Sequence, residues 1–123
     1  MHVHDHCEAL LLIYLKGKKG ESYNVGSGKN LINKDIAKKL ISIAKGKHLK
    51  VGKKVKIKFV KDRPGHDFRY ALDNKKMLNK LKWRIKINLN DGLSQTFDWY
   101  LNNKNFFNSV SKKLYINRLG LNK

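Results

Sequence analysis

Apolar residues recur along this chain at two spacings, and the spacing separates helical from extended stretches. The run Ala9-Leu10-Leu11-Leu12-Ile13-Tyr14 is apolar on nearly every side, which predicts a buried helix from about His6 to Lys16. Asp5-x-x-Glu8 in front of it has the spacing of a capping box, and Gly17-Lys18-Lys19-Gly20 ends it. Ile36, Ala37, Leu40, Ile41, Ile43 and Ala44 form the apolar side of a second helix over Lys34 to Lys45. Asn33 is its expected N-cap, and Gly46 lies just past its end. A third helix over Asn74 to Leu81, capped by Asp73, buries Met77, Leu78 and Leu81. A fourth over Leu89 to Leu101 repeats Leu89, Leu93, Phe97, Tyr100 and Leu101 at the helical period, with Asn88-x-x-Asp91 to cap it. Ser22 to Val25 reads as a short strand and Arg69 to Leu72 as a brief extended segment. Val55-Lys56-Ile57-Lys58-Phe59-Val60 alternates with period two, the pattern of a half-buried strand. The tail from Asn102 keeps Phe106, Phe107 and Tyr115, so part of it should pack. No repeat and no linker divides the 123 residues, which form one domain or part of one.

Directly after the alternating stretch comes Asp62-Arg63-Pro64-Gly65-His66-Asp67, which holds the one proline of the chain. Pro64 fixes φ and Gly65 can take positive φ, so the pair suits the two centre positions of a tight turn. Arg63 and His66 then flank the turn at a strand end. A guanidinium offers a planar fork of donors that can bind two phosphoryl oxygens at once, and an imidazole can switch its charge. The same residues also read as a surface loop in which Asp62 and Asp67 pair with Arg63 and Arg69.

Charge widens the choice. Lys and Arg number 28 against 9 Asp and Glu, a net charge of +19. Such a balance is expected of a protein that meets nucleic acid or an anionic membrane surface. The lysines are scattered, however, with no block longer than two, and Asn and Ile are frequent as well, so a compositional bias explains them equally. Cys7 is the only cysteine, which excludes an internal disulfide and fits a reducing compartment. The longest apolar run, Ala9 to Leu15, falls short of the roughly 20 residues that span a bilayer. Its acidic front end is unlike a signal peptide, so the expected location is cytoplasmic.

The motifs also resemble a known family. Asp62 to Asp67 followed by Arg69-Tyr70-Ala71-Leu72-Asp73 is similar to the C-terminal part of dTDP-glucose 4,6-dehydratases, extended short-chain dehydrogenase/reductases of the NAD-dependent epimerase/dehydratase group. Val3-x-Asp5-His6 resembles that family's V-x-D-H, and Gly20-Glu21-Ser22-Tyr23-Asn24-Val25-Gly26 its G-E-T-Y-N-I-G. Leu81-Lys82-Trp83 resembles L-G-W, with Lys82 in place of Gly, and Asp98-Trp99-Tyr100-Leu101 resembles E-W-Y-L. The resemblance implies an α/β fold class: residues 1–123 as one partial domain, the C-terminal fragment of an extended short-chain dehydrogenase fold with about four helices and short strands. It also implies that Asn33, Asp62, Arg63, Pro64, Gly65 and His66 contact the dTDP-sugar.

What the family needs for chemistry lies elsewhere. Its reaction oxidises the sugar at C4 with NAD, loses water across C5–C6 and returns the hydride. The glycine-rich dinucleotide turn, the Asp/Glu acid–base pair and the Tyr-x-x-x-Lys base all belong to an N-terminal Rossmann half without counterpart here. Tyr14/Lys18 and Tyr100/Lys104 match the last spacing by chance frequency only, at positions the family does not use. Gly26-Ser27-Gly28 fails as a dinucleotide fingerprint, with Leu31 at the third glycine position, and as a P-loop, with Tyr23 and Asn30 at required Gly and Ser/Thr positions. His2, His4, His6 and Cys7 offer metal-ligand atoms but no fixed geometry, and no metal is assigned. The expectation is a nucleotide-sugar-binding portion, inactive alone, whose partners are a dTDP-sugar and a separately encoded N-terminal half. A homodimer stays open, since the family dimerises through segments absent here. The alternative is a small basic nucleic-acid-binding protein.

Overall fold

The computed structural model describes residues 1–49, 55–60, 65 and 71–110, the Phe107 side chain excepted. Among them run five helices: α1 (Val3–Lys16), α2 (Asn33–Gly46), α3 (Lys75–Leu81), α4 (Leu89–Asn102) and a single turn, α5 (Phe106–Ser109). The four helices expected from periodicity are all present, with no end displaced by more than three residues.

The ends differ for physical reasons. Helix α1 begins three residues early because the extended His2 caps it, its Nδ1 accepting from the His4 N–H at 3.3 Å. Asp5 is therefore no N-cap. Its carboxylate is buried and accepts the backbone N–H groups of Lys86 and Ile87, both at 3.1 Å. A buried carboxylate requires donors, and here they come from the segment leading into α4, so one side chain ties α1 to the start of α4. Helix α3 stops at Lys82, which adopts the left-handed conformation (φ 55°, ψ 22°). The reversal sends the Trp83 N–H back to the Met77 carbonyl at 3.2 Å and turns the indole inward.

Trp83, Met77 and Ala9 form the buried cluster, with Leu12, Ile13, Tyr23, Val25, Leu81 and Ile85 packed against it. It joins α1 to α3 and is small; the other buried apolar side chain among the described residues is Ala44. Helices α2 and α4 form the second pair. Lys39 Nζ donates to Asn90 Oδ1 at 2.9 Å, and Lys47 meets the two Asp98 carboxylate oxygens at 2.6 and 2.8 Å. Both ties join positions 51 apart, so the helices lie side by side and run in the same direction.

Two expectations fail. No strand forms among the described residues, including 22–25 and 55–60, where alternation predicts one. A strand exists through its ladder partners, and among the described residues these segments have none. Nor is α1 buried all round: Leu11 is 58 % and Tyr14 85 % exposed. Among the described residues, neighbours cover one side of that helix only.

Candidate functional site

The site expected from sequence divides between described residues and others. Asp62, Arg63, Pro64 and His66 lie outside the described residues. Gly65 is described, exposed, and has φ +69°, which the second centre position of a type II turn requires.

Asn33 is not the N-cap of α2. Ile32 holds that position in an extended conformation with no side-chain cap bond, and the Asp35 and Ile36 N–H groups return to the Ile32 carbonyl at 2.9 and 3.2 Å. Asn33 is thus the first helical residue, and its side chain is exposed. The positive end of the helix dipole and an amide offering both donor and acceptor coincide there. Next to it, Lys34 Nζ sits 5.6 Å from the centroid of the Phe59 ring. That contact brings Phe59, three residues before Asp62, against the start of α2.

Beneath this end, the 24–28 turn is held by the segment before α3. Asn74 Nδ2 donates to the Gly26 carbonyl at 2.9 Å. A Cβ on Gly26 would meet Leu72 Cβ at 3.2 Å, and one on Gly28, at φ +66°, would meet Asn74 Oδ1 at 3.3 Å. The glycines permit close approach of this chain's own backbone. They are therefore poor candidates for a dinucleotide cradle, in agreement with the failed fingerprint. Lys76 completes the clamp: its Nζ donates to the Ser22 carbonyl at 2.6 Å, pairs with Glu21 at 3.2 Å and lies 4.4 Å from the Tyr23 ring centroid. The Lys76 ammonium holds the Glu21 carboxyl below its ordinary value.

A cavity of about 1150 Å³ opens between the start of α1, the 27–31 turn and α4, lined among others by His2, Lys29, Leu31, Lys39, Trp99 and Tyr100. The aromatic pair is a feature that sequence reasoning placed wrongly. The helical period sets Tyr100 on the apolar side of the fourth helix, yet Trp99 and Tyr100 are 47 % and 40 % exposed. They meet edge to face at 5.1 Å and both contact Phe106, at 5.3 and 5.8 Å. Three rings satisfy one another at the surface, which periodicity cannot distinguish from burial. At the other terminus, no group of three His, Cys, Asp or Glu side chains gathers among the described residues. No described helix is long and apolar enough to cross a membrane.

Comparison with known proteins places this geometry. A family model described as GDP-mannose 4,6 dehydratase matches residues 1–96. A dTDP-glucose 4,6-dehydratase from Streptomyces niveus is 38 % identical over 105 residues, covering 85 % of this chain and 29 % of its own length. One from Haemophilus influenzae is 38 % identical over 117 residues, covering 90 % and 33 %. The crystal structure of dTDP-glucose 4,6-dehydratase from Bacillus anthracis in complex with NAD superposes with a TM-score of 0.73 at 34 % identity, over 86 % of this chain and 32 % of that one. The Streptomyces venezuelae enzyme, also with NAD bound, gives 0.72 at 31 % identity, over 86 % and 31 %. This chain spans about a third of the length of these relatives. With its family model matched over most of its residues and dTDP-glucose 4,6-dehydratases as its relatives and structural neighbours, the chain belongs to the GDP-mannose 4,6 dehydratase family.

Proposed function

We infer that residues 1–123 are the C-terminal, nucleotide-sugar-binding portion of a dTDP-glucose 4,6-dehydratase, a partial domain of an α/β short-chain dehydrogenase fold without its dinucleotide-binding half. The observation that carries this reading is the uncapped start of α2, with Asn33 exposed and Phe59 held against Lys34, combined with the Asp62 to Asp67 sequence three residues on. Arg63 binds the diphosphate of the dTDP-sugar through a bidentate, charge-assisted pair, and His66 adds a second donor. Pro64 stiffens the turn and Gly65 supplies the positive φ it needs, which lowers the ordering cost of binding. Asp62 belongs to the same set of dTDP-sugar contacts, and Asn33 supplies amide bonds to the nucleotide. We assign the NAD site to the half of the fold this portion lacks, and do not read the Gly-x-Gly turn approached by Leu72 and Asn74 as a cradle for it. The chain alone therefore converts no dTDP-glucose, and a 4-keto-6-deoxy product formed from dTDP-glucose and NAD overturns that statement.

Titration calorimetry with dTDP is the direct test, run beside a salt series with single-stranded RNA. A diphosphate site loses about 1.5–3 kcal/mol, or tenfold to a hundredfold in affinity, on Arg63→Ala. Binding that tolerates Arg63→Ala and falls steeply with salt assigns the +19 charge to polyanion contact instead and refutes the dTDP reading.

A further inference from the structure

His2 stands where two helices start. Its Nδ1 accepts the His4 N–H at 3.3 Å and so caps α1. Its half-buried ring also lies against the first turn of α4, where a Cβ on the buried Gly92 would touch His2 Cβ at 3.4 Å and Cδ2 at 3.5 Å. The Asp5 bonds to the Lys86 and Ile87 N–H groups run along the same seam. An Nδ1 that accepts a hydrogen bond carries no proton, so the neutral ring holds its proton on Nε2. Helix caps are usually Ser, Thr, Asp or Asn, none of which changes state near neutral pH. An imidazole does.

We propose that His2 is a proton-sensitive latch: neutral, it fastens the start of α1 to the first turn of α4, and protonated, it lets go. Protonation turns Nδ1 from acceptor to donor, so the His4 N–H loses its partner. It also sets a positive charge at the N-terminal ends of two helix dipoles, where a cation is unfavourable. The acidic groups nearby are already engaged. On α1, the Asp5 carboxylate accepts two backbone N–H groups, and on α4, Asp91 accepts from Asn88 Nδ2 at 2.6 Å. The other titratable groups around the ring add positive charge. They are His4, with ring centroids 5.0 Å apart, Lys29 of the 27–31 turn, Lys39 of α2, and Met1 through its amino group. The fastening is complete above the ordinary imidazole value, about 6.5, and is lost as pH falls below it. It acts on one wall of the cavity between α1, the 27–31 turn and α4, and it is independent of the nucleotide-sugar reading.

Nuclear magnetic resonance of the 1–123 chain one pH unit above and one below about 6.5 tests the latch. The reporter is the His6 N–H, which returns to the His2 carbonyl at 3.2 Å. Its protection from hydrogen exchange, corrected for the intrinsic pH dependence of exchange, falls about tenfold at the lower pH. The Overhauser contact between the His2 ring and Gly92 disappears with it. His2→Asn, a cap with no titratable ring, keeps the protection at both pH values. His4→Gln and Asp91→Asn leave the fall in place, which assigns it to His2 and not to a neighbour. Nitrogen-15 shifts of the His2 ring in the unaltered chain give a readout that needs no variant to fold: at the higher pH the proton sits on Nε2. Equal protection at both pH values, a fall in His2→Asn as large as in the parent, loss of the fall in either of the other variants, or a neutral ring protonated on Nδ1 overturns the latch.

Discussion

Asp5 gives the sharpest test of how this chain is held together. Its buried carboxylate accepts two backbone N–H groups, from Lys86 and Ile87, 81 and 82 residues away. Asp5→Ala leaves both donors without an acceptor. A buried unsatisfied donor costs about 1–3 kcal/mol. Both bonds are part-buried, so each amide regains some water when the acceptor is removed. The expected loss is therefore about 2–4 kcal/mol, a large share of the ~5–15 kcal/mol typical of a folded domain. In urea the midpoint falls by about 1–2 M, given slopes of ~1–3 kcal/mol/M. Asp5→Asn keeps one acceptor oxygen and loses about half as much. Asp5→Ser decides between two roles. Serine is a good N-cap and restores stability if Asp5 caps α1, but it is too short to reach Lys86 and Ile87 if Asp5 bridges. The readout is equilibrium unfolding by circular dichroism and Trp fluorescence. An Asp5→Ala variant within about 0.5 kcal/mol of the parent, or rescue by serine, refutes the bridge.

Lys82→Gly is expected to stabilise. Lys82 sits at φ 55°, where an L-residue costs about 1–2 kcal/mol, and glycine returns about 0.5–1 kcal/mol of that as unfolded-state entropy. A melting temperature raised by about 3–5 °C confirms the gain, and no rise shows that the reversal is unstrained. The Lys76–Glu21 clamp sets an acid dependence. The Glu21 carboxyl is held below its ordinary value by Lys76, so its stabilisation is present above the unfolded carboxyl value, about 4.3, and is lost as pH falls through the lower folded value. Glu21→Gln flattens the stability curve below about pH 4.3, and an unchanged slope there excludes the clamp. Lys86 shows the opposite sign. Glu8 holds its ammonium above the ordinary lysine value, so that contribution is complete at neutral pH and disappears only in strong base, as pH rises through the raised folded value.

Helix positions were legible because each helix carries its own period, and tertiary contacts moved only the ends. Roles of single side chains were less legible. Asp5-x-x-Glu8 has the letters of a capping box, but the donors it serves are 81 and 82 residues away, a pairing that no local window contains. Asn33 was placed at the right end of the right helix and one step off in register, which changes its amide from a cap to an exposed group. The predicted strands at 22–25 and 55–60 have the right alternation, yet a strand is a property of two chains, and sequence states only one. The same limit explains α1: an apolar circumference says that a helix expects neighbours, not that they are present.

The lysine excess looks different once the contacts are counted as architecture. Lys39 and Lys47 join α2 to α4, Lys76 ties α3 to the 21–23 segment, and Lys86 reaches Glu8 on α1. In each case the anchor is a carbonyl, an amide or one of only nine acidic residues, met by a long flexible stem that spans a gap the small core leaves open. Exposed ion pairs of this kind contribute little each, about 0–1 kcal/mol, so they orient elements more than they stabilise them. Net positive charge thus follows in part from how the helices are braced, and polyanion binding is not required to account for it. Lys34 carries the same logic to the candidate site, where one ammonium both packs over Phe59 and raises the positive potential at the start of α2. On the reading proposed above, a diphosphate site needs no dedicated lysine cluster: bracing lysines supply the field, and the planar guanidinium proposed to bind there, that of Arg63, has the geometry that a point charge lacks.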